Sequence, residues 1–216
     1  MSFPTTANGW ISYVRDFIGA DDYSDAQVSS FLDLAQNRLN REMMSYGMEA
    51  VDDVVVTASH ITDNAINIQV AIPSFEKIRL VNIQGTSIGP LHVVSLNEMK
   101  KMQAQDAFAG GESTHYMIDA GNLYIYPFPG ESAVVEVYYY AKQALLNKGS
   151  VESNAFTLRY PDALLHAACL EAASYMVEDE RIPVWENKYL VALSTANDES
   201  NKIKMGSTPL QRRFRV

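Results

Sequence analysis

The chain has one cysteine, Cys169, so it can form no internal disulfide, and a reducing compartment is the expected place of folding. It has no apolar run near the roughly 18 residues of a membrane span, which predicts that it crosses no membrane. No basic residue precedes Arg15; the charged and apolar regions of a secretory signal are missing, and cytoplasmic synthesis is the expectation. Positive charge is scarce: 17 Lys and Arg face 26 Asp and Glu, giving a net charge of −9 and a pI near 4.9. That sign repels phosphate backbones and removes the electrostatic attraction on which nonspecific nucleic-acid binding depends, so a dedicated DNA binder is not expected. No internal repeat or low-complexity segment is present.

What remains is the composition of an ordinary globular protein, 216 residues with 47% hydrophobic and 20% charged, which needs neither disulfides nor metal to fold. Ser24 and Gln27 have capping-box spacing, and Val28, Phe31, Leu32, Ala35, Leu39 and Met43 follow at helical intervals. Before them, Trp10, Val14, Phe17 and Ile18 predict a shorter helix ending near Gly19. From Val51 the pattern changes to VVVTA, INIQVAI, KIRLVNI, LHVV, NLYIYPF and AVVEVYYY, all read as strands. Ser95 and Glu98 form a second capping box, and Asp119 to Asn122 read as the loop of a hairpin. One closing helix starts at Pro161 and another follows Pro183. The order predicts an α+β fold: a helical bundle with an inserted, mainly antiparallel β domain and an extended C-terminal arm. The expected divisions are 1–50, N-terminal helices; 51–148, β-rich insertion; 149–204, C-terminal helices; and 205–216, the arm MGSTPLQRRFRV. After Glu199 come Lys202, Lys204, Arg212, Arg213 and Arg215 with no acidic residue among them, so this tail differs in kind from the body.

Several stretches look chemical. GTSIG, residues 85–89, has the G-x-S-x-G spacing of a hydrolase nucleophile elbow, which needs a strand turning into a helix at Ser87. Pro90 and the strand-like LHVV follow instead, so the segment is read as a hairpin turn in which Gly85 and Gly89 supply unusual backbone angles. His166 and Cys169 sit three apart on a helix, but Cys169 falls in an apolar stripe with Leu165, Ala172 and Met176 and behaves as a small hydrophobe. His60, His92 and His115 stand at no metal-ligand spacing, and neither metal nor cofactor is expected. In AVVEVYYY, alternation puts Val135, Val137 and Tyr139 on one face and Glu136, Tyr138 and Tyr140 on the other. The acidic groups of EDER (178–181) and NDES (197–200) read as solvated helix ends. A cell-wall-cleaving pair such as Glu178 and Glu180 needs a cleft that sets their separation and raises one pKa, which neighbouring acids at a helix end rarely have. The alternatives to a structural role are therefore a hydrolase or a carbohydrate- or peptide-binding module on the tyrosine-rich strands.

The ordered series IPSFEKIRLVNI, PLHVVSLNEMKKM, STHYMIDAGNLYIYPFP, VEVYYYAKQ and FTLRYPDALLHAACLEAASYMVEDERIPVWENKYLVAL, from Ile72 to Leu193, resembles the head-to-tail adaptor proteins of tailed bacteriophages. The segment YPDALLHAA, continuing through DER and a Trp to a last Tyr-bearing helix, is the most specific part. The resemblance implies a virion part at the head–tail junction, made in the bacterial host cytoplasm, and not an enzyme. It implies a ring of this chain, typically of twelve copies, docked beneath the portal protein, extending the DNA channel and receiving a tail nozzle or tail-tube protein. Genomic DNA would pass without specific binding. Carried onto this sequence, the portal-gripping arm is the C-terminal segment, with Pro209, Leu210, Gln211, Arg212, Arg213, Phe214, Arg215 and Val216 as contacts.

Overall fold

Thr6 opens the first helix, its hydroxyl accepting the Gly9 backbone N–H at 3.2 Å, and α1 (Ala7–Ile18) stops where Gly19 takes the left-handed conformation. Ser24 and Gln27 form the predicted box at the start of α2 (Asp25–Glu42), and a 3-10 turn covers Tyr46–Met48. The chain continues through β1 (Glu49–Val55), α3 (Ala58–Asp63), β2 (Ile66–Asn67), α4 (Ile68–Ala71), β3 (Phe75–Ile83), β4 (His92–Val93), α5 (Leu96–Gln105), β5 (His115–Asp119), β6 (Asn122–Tyr126) and β7 (Val134–Ala141). It closes with α6 (Ala155–Arg159), α7 (Pro161–Met176) and α8 (Ile182–Met205). This computed structural model describes residues 3–19, 23–87, 89–105, 111–146, 151–176 and 180–205. The architecture is α+β with mainly antiparallel sheets, in two compact units: Met1–Met48 with Gln143–Val216, and Glu49–Lys142.

The first unit is helical. α7 packs against α1, α2, α6 and α8, and Ala163, Ala167, Ala168, Ala172 and Ala173 let those neighbours approach closely. The expected apolar stripe on this helix is too narrow a description. Because partners surround it, Leu164 and Leu170 are buried as completely as Leu165 and Cys169. α8 also departs from expectation: it begins at Ile182, keeps Pro183 inside its first turn and runs 24 residues, so NDES lies within the helix rather than at its end. The reason is that Tyr189, Ala192, Ala196 and Ser200, all buried, carry the packed face past those charges.

The second unit holds two sheets, a three-stranded one ordered β1-β7-β3 and a four-stranded one ordered β2-β6-β5-β4. Val54, Val81, Ile83, Val135, Val137 and Tyr139 from the first and Ile66, Tyr116, Leu123 and Ile125 from the second share one hydrophobic core. The predicted alternation in β7 is thus observed. Two strand predictions fail. INIQVAI forms only the two-residue β2 before the Asn67 side chain accepts the Val70 N–H at 3.1 Å and turns the chain into α4. Its isoleucines suit a helix too, since Ile68 and Ile72 lie four apart and both are buried. The expected hairpin of KIRLVNI with LHVV is also absent. Leu91 donates to the Val81 carbonyl at 2.8 Å, but the next residues leave for the other sheet, where β4 runs parallel to β5.

Candidate functional site

Gly85 has φ 77° and supplies the turn after β3, whereas Gly89 is not among the described residues with positive φ. Among the described residues the next helix after Ser87 is α5, which begins only at Leu96. The Ser87 hydroxyl donates to the Glu112 carboxylate at 3.1 and 3.4 Å, a partner that leaves it without the imidazole and the helix N-terminus an elbow serine requires. Ser87 lines an open groove of about 640 Å³ with Arg79, Leu80, Asn82, Thr86, Pro90 and Tyr138, and that groove contains no histidine. Cys169 is 1% exposed, and burial pushes its thiol up to about 12, so it is an inert hydrophobe. His166 is held below the usual histidine range by burial. Of the predicted pair, Glu178 lies outside the described residues, and Glu180 is exposed.

The histidines at no ligand spacing nonetheless include a spatial pair. The β4–β5 register sets His92 opposite His115, ring centroids 5.9 Å apart, and parallel pairing of distant strands is a relation no local spacing reveals. Burial first, and the neighbouring His92 second, lower the His115 pKa; Glu98 opposes them. Among the described residues no group of three His, Cys, Asp or Glu side chains could hold a metal ion. His60 does capping work instead, its Nδ1 accepting the Thr57 N–H at 3.2 Å.

The helical unit also contains a polar knot. The Gln36 Oε1 accepts from the Leu146 N–H at 3.0 Å and from the Asn154 Nδ2 at 2.8 Å, although Gln36 is wholly buried. Asn40 exchanges two bonds with the Gln143 backbone at 2.7 and 3.1 Å, and Asn154 caps α6 through the Phe156 and Thr157 N–H groups. Together these amides fasten the chain's return into the helical unit onto α2. Their signal in the sequence was slight: two polar positions, Gln36 and Asn40, inside an otherwise apolar helix face.

Surfaces remain. In the helical unit Leu34, Leu158, Tyr175, Leu190 and Val191 stand exposed, and Tyr175 packs edgewise against Tyr23 and beside Phe31. In the β unit, the side of the three-stranded sheet away from its core carries three adjacent rows. Glu49 and Lys77 flank Tyr140, Val51 and Leu80 flank Tyr138, and Asp53 and Asn82 flank Glu136. Arg79 lies in a bulge between Ile78 and Leu80, pairs with Glu49 at 2.6 Å and lies over the Tyr140 ring at 5.6 Å. The expected portal contacts Pro209, Leu210, Gln211, Arg212, Arg213, Phe214, Arg215 and Val216 lie outside the described residues. The five cations beyond Glu199 leave 12 Lys and Arg against 26 Asp and Glu in residues 1–199, a net charge of −14 for the body.

A family model described as SU10 adaptor protein matches residues 5–213. The chain belongs to the SU10 adaptor family. This agrees with the resemblance to phage head-to-tail adaptors, and the match takes in both helical segments and the strands between them. No curated protein matches the chain. The adaptor is a structural protein of a bacteriophage, from a family whose work is joining parts rather than turning over substrates, and its place is the virion. Among its described residues no helix is long and apolar enough to cross a membrane.

Proposed function

We propose that this adaptor forms a ring beneath the portal protein, extends the DNA channel and attaches the tail. Family membership carries the reading. The segregation of charge supports it: a body of net −14 tolerates DNA moving past without holding it, while the basic segment supplies charge-assisted contacts to a partner. Twelve copies of one modest contact give a firm joint through effective concentration. The ring uses unlike faces of each subunit, for which the exposed apolar side chains of both units are candidates. The chain is synthesised in the host cytoplasm and joins the portal once the genome is packaged. Pro209, Leu210, Gln211, Arg212, Arg213, Phe214, Arg215 and Val216 grip the portal, with the tail nozzle or tube on the other side. No catalytic, metal or cofactor site belongs to this function.

The test is co-sedimentation of the purified chain with purified portal protein. The full chain is expected to add a ring of discrete mass, and a chain lacking residues 205–216 to keep its circular dichroism spectrum but lose the interaction. Undiminished docking by the shortened chain overturns the role given to the arm. A Ser87→Ala chain docks like the parent; loss of docking in that variant contradicts the assignment of Ser87 to a turn.

A further inference from the structure

The outer face of the three-stranded sheet contains one arginine-binding arrangement that is filled and a second, next to it, that is not. In the filled one, the Arg79 guanidinium lies over Tyr140 and pairs with Glu49. Two residues along β7, Tyr138 pairs with Val51, and the carboxylates of Asp53 and Glu136 face each other in the next row on the same side, which again sets an aromatic ring next to acidic groups. Here the partners are neutral amides: the Gln84 Nε2 donates to Asp53 at 3.2 Å and to Glu136 at 3.0 Å, and the Asn82 Nδ2 donates to Glu136 at 2.8 Å. Among the described residues no cation pairs with Asp53 or Glu136. Val51, 52% exposed, and the half-buried Leu80 extend an apolar row on either side of Tyr138.

A face with an apolar row beside unneutralised carboxylates fits a segment that alternates guanidinium groups with an aromatic and an aliphatic side chain. The chain contains one such segment, LQRRFRV, residues 210–216. Its reach is ample. Three strands span only about 10 Å, and a stretch of as many residues as follow Met205 can reach more than about 30 Å at roughly 3.3 Å each. We propose that, before the portal is met, residues 210–216 of one copy dock across the Val51–Tyr138–Leu80 row of a second copy. In that complex Arg212, Arg213 or Arg215 takes the place beside Tyr138, Asp53 and Glu136 that Arg79 takes beside Tyr140 and Glu49, and Phe214 lies along Val51 and Leu80. The contact is heterologous, arm to sheet, so it leads from copy to copy in one direction. It concerns the chain alone in solution and stands whether or not the arm later grips a portal.

The experiment uses the full-length chain with Phe214→benzoylphenylalanine, irradiated without portal as an equal mixture of nitrogen-15-labelled and unlabelled protein. Cross-linked peptides are read by mass spectrometry. The expected products join position 214 to peptides carrying Val51, Leu80 or Tyr138 and include pairs of mixed isotope. Their yield falls at least fivefold on moving from 50 mM to 500 mM salt, and as far in an Asp53→Lys or a Val51→Lys chain, both being exposed positions that tolerate the change. Cross-links to other surfaces, cross-links of unmixed isotope only, or a yield indifferent to both variants overturn the proposal.

Discussion

Gln36 shows how much one residue matters when it is buried with its bonds made. Its carboxamide oxygen serves both the Leu146 N–H and the Asn154 side chain, and its own nitrogen donates to the Leu32 carbonyl at 3.2 Å. A leucine there fills similar space but orphans the Leu146 N–H and one N–H of Asn154, whose nitrogen keeps its bond to the Ala144 carbonyl at 2.9 Å, and each buried unsatisfied group costs about 1–3 kcal/mol. A Gln36→Leu chain is therefore expected to unfold about 2–5 kcal/mol more easily in urea; a change below about 0.5 kcal/mol contradicts the knot. His115 gives a pH signature. Because burial and His92 lower its pKa, the unfolded chain takes up that proton more readily than the folded one. The stability involved is complete above the unfolded value, about 6.5, and is lost as pH falls below it. Urea midpoints taken between pH 7 and pH 5 are expected to fall less in a His115→Gln chain than in the parent. An equal fall in both contradicts the assignment.

At the scale of elements, what was legible is what depends on neighbours in sequence. The boxes at Ser24 and Ser95, the stop at Gly19 and the β5–β6 turn all appear where the residues place them, since caps and tight turns are local chemistry. The Asp119–Asn122 turn uses positive φ at both Ala120 (47°) and Gly121 (78°). Nothing lies closer than 3.8 Å to a Cβ placed on Gly121, so Gly121→Ala meets backbone strain alone and is expected to cost about 1 kcal/mol in thermal or urea unfolding. A stabilising effect contradicts the turn geometry. What was illegible depended on partners far away. INIQVAI satisfies strand and helix periods alike, and only Asn67 capping toward Val70 decides between them. β4 leaves β3 because β5 lies in the other sheet, and α8 outruns its charged stretch because its buried face continues to Ser200. α3 and α6 are short, and their caps, Thr57 with His60 and Asn154 with Thr157, use residues outside the commonest box. Of the candidate surfaces, the β7 alternation was readable, whereas the Arg79 bulge and the His92–His115 pairing were not.

At the scale of the molecule, the account turns on charge carried in two places, an acidic body and a cationic end, in a chain of the SU10 adaptor family. The proposed grip by Arg212, Arg213 and Arg215 is ionic, so portal docking is expected to weaken steeply with salt. A cryo-EM map of the neck of the phage particle reads the position of this chain. The map is expected to contain a closed ring of twelve copies directly beneath the portal, with residues 205–216 against portal subunits and the channel running through the ring. A neck in which the portal meets the tail with no copy of this chain between them contradicts the proposed position.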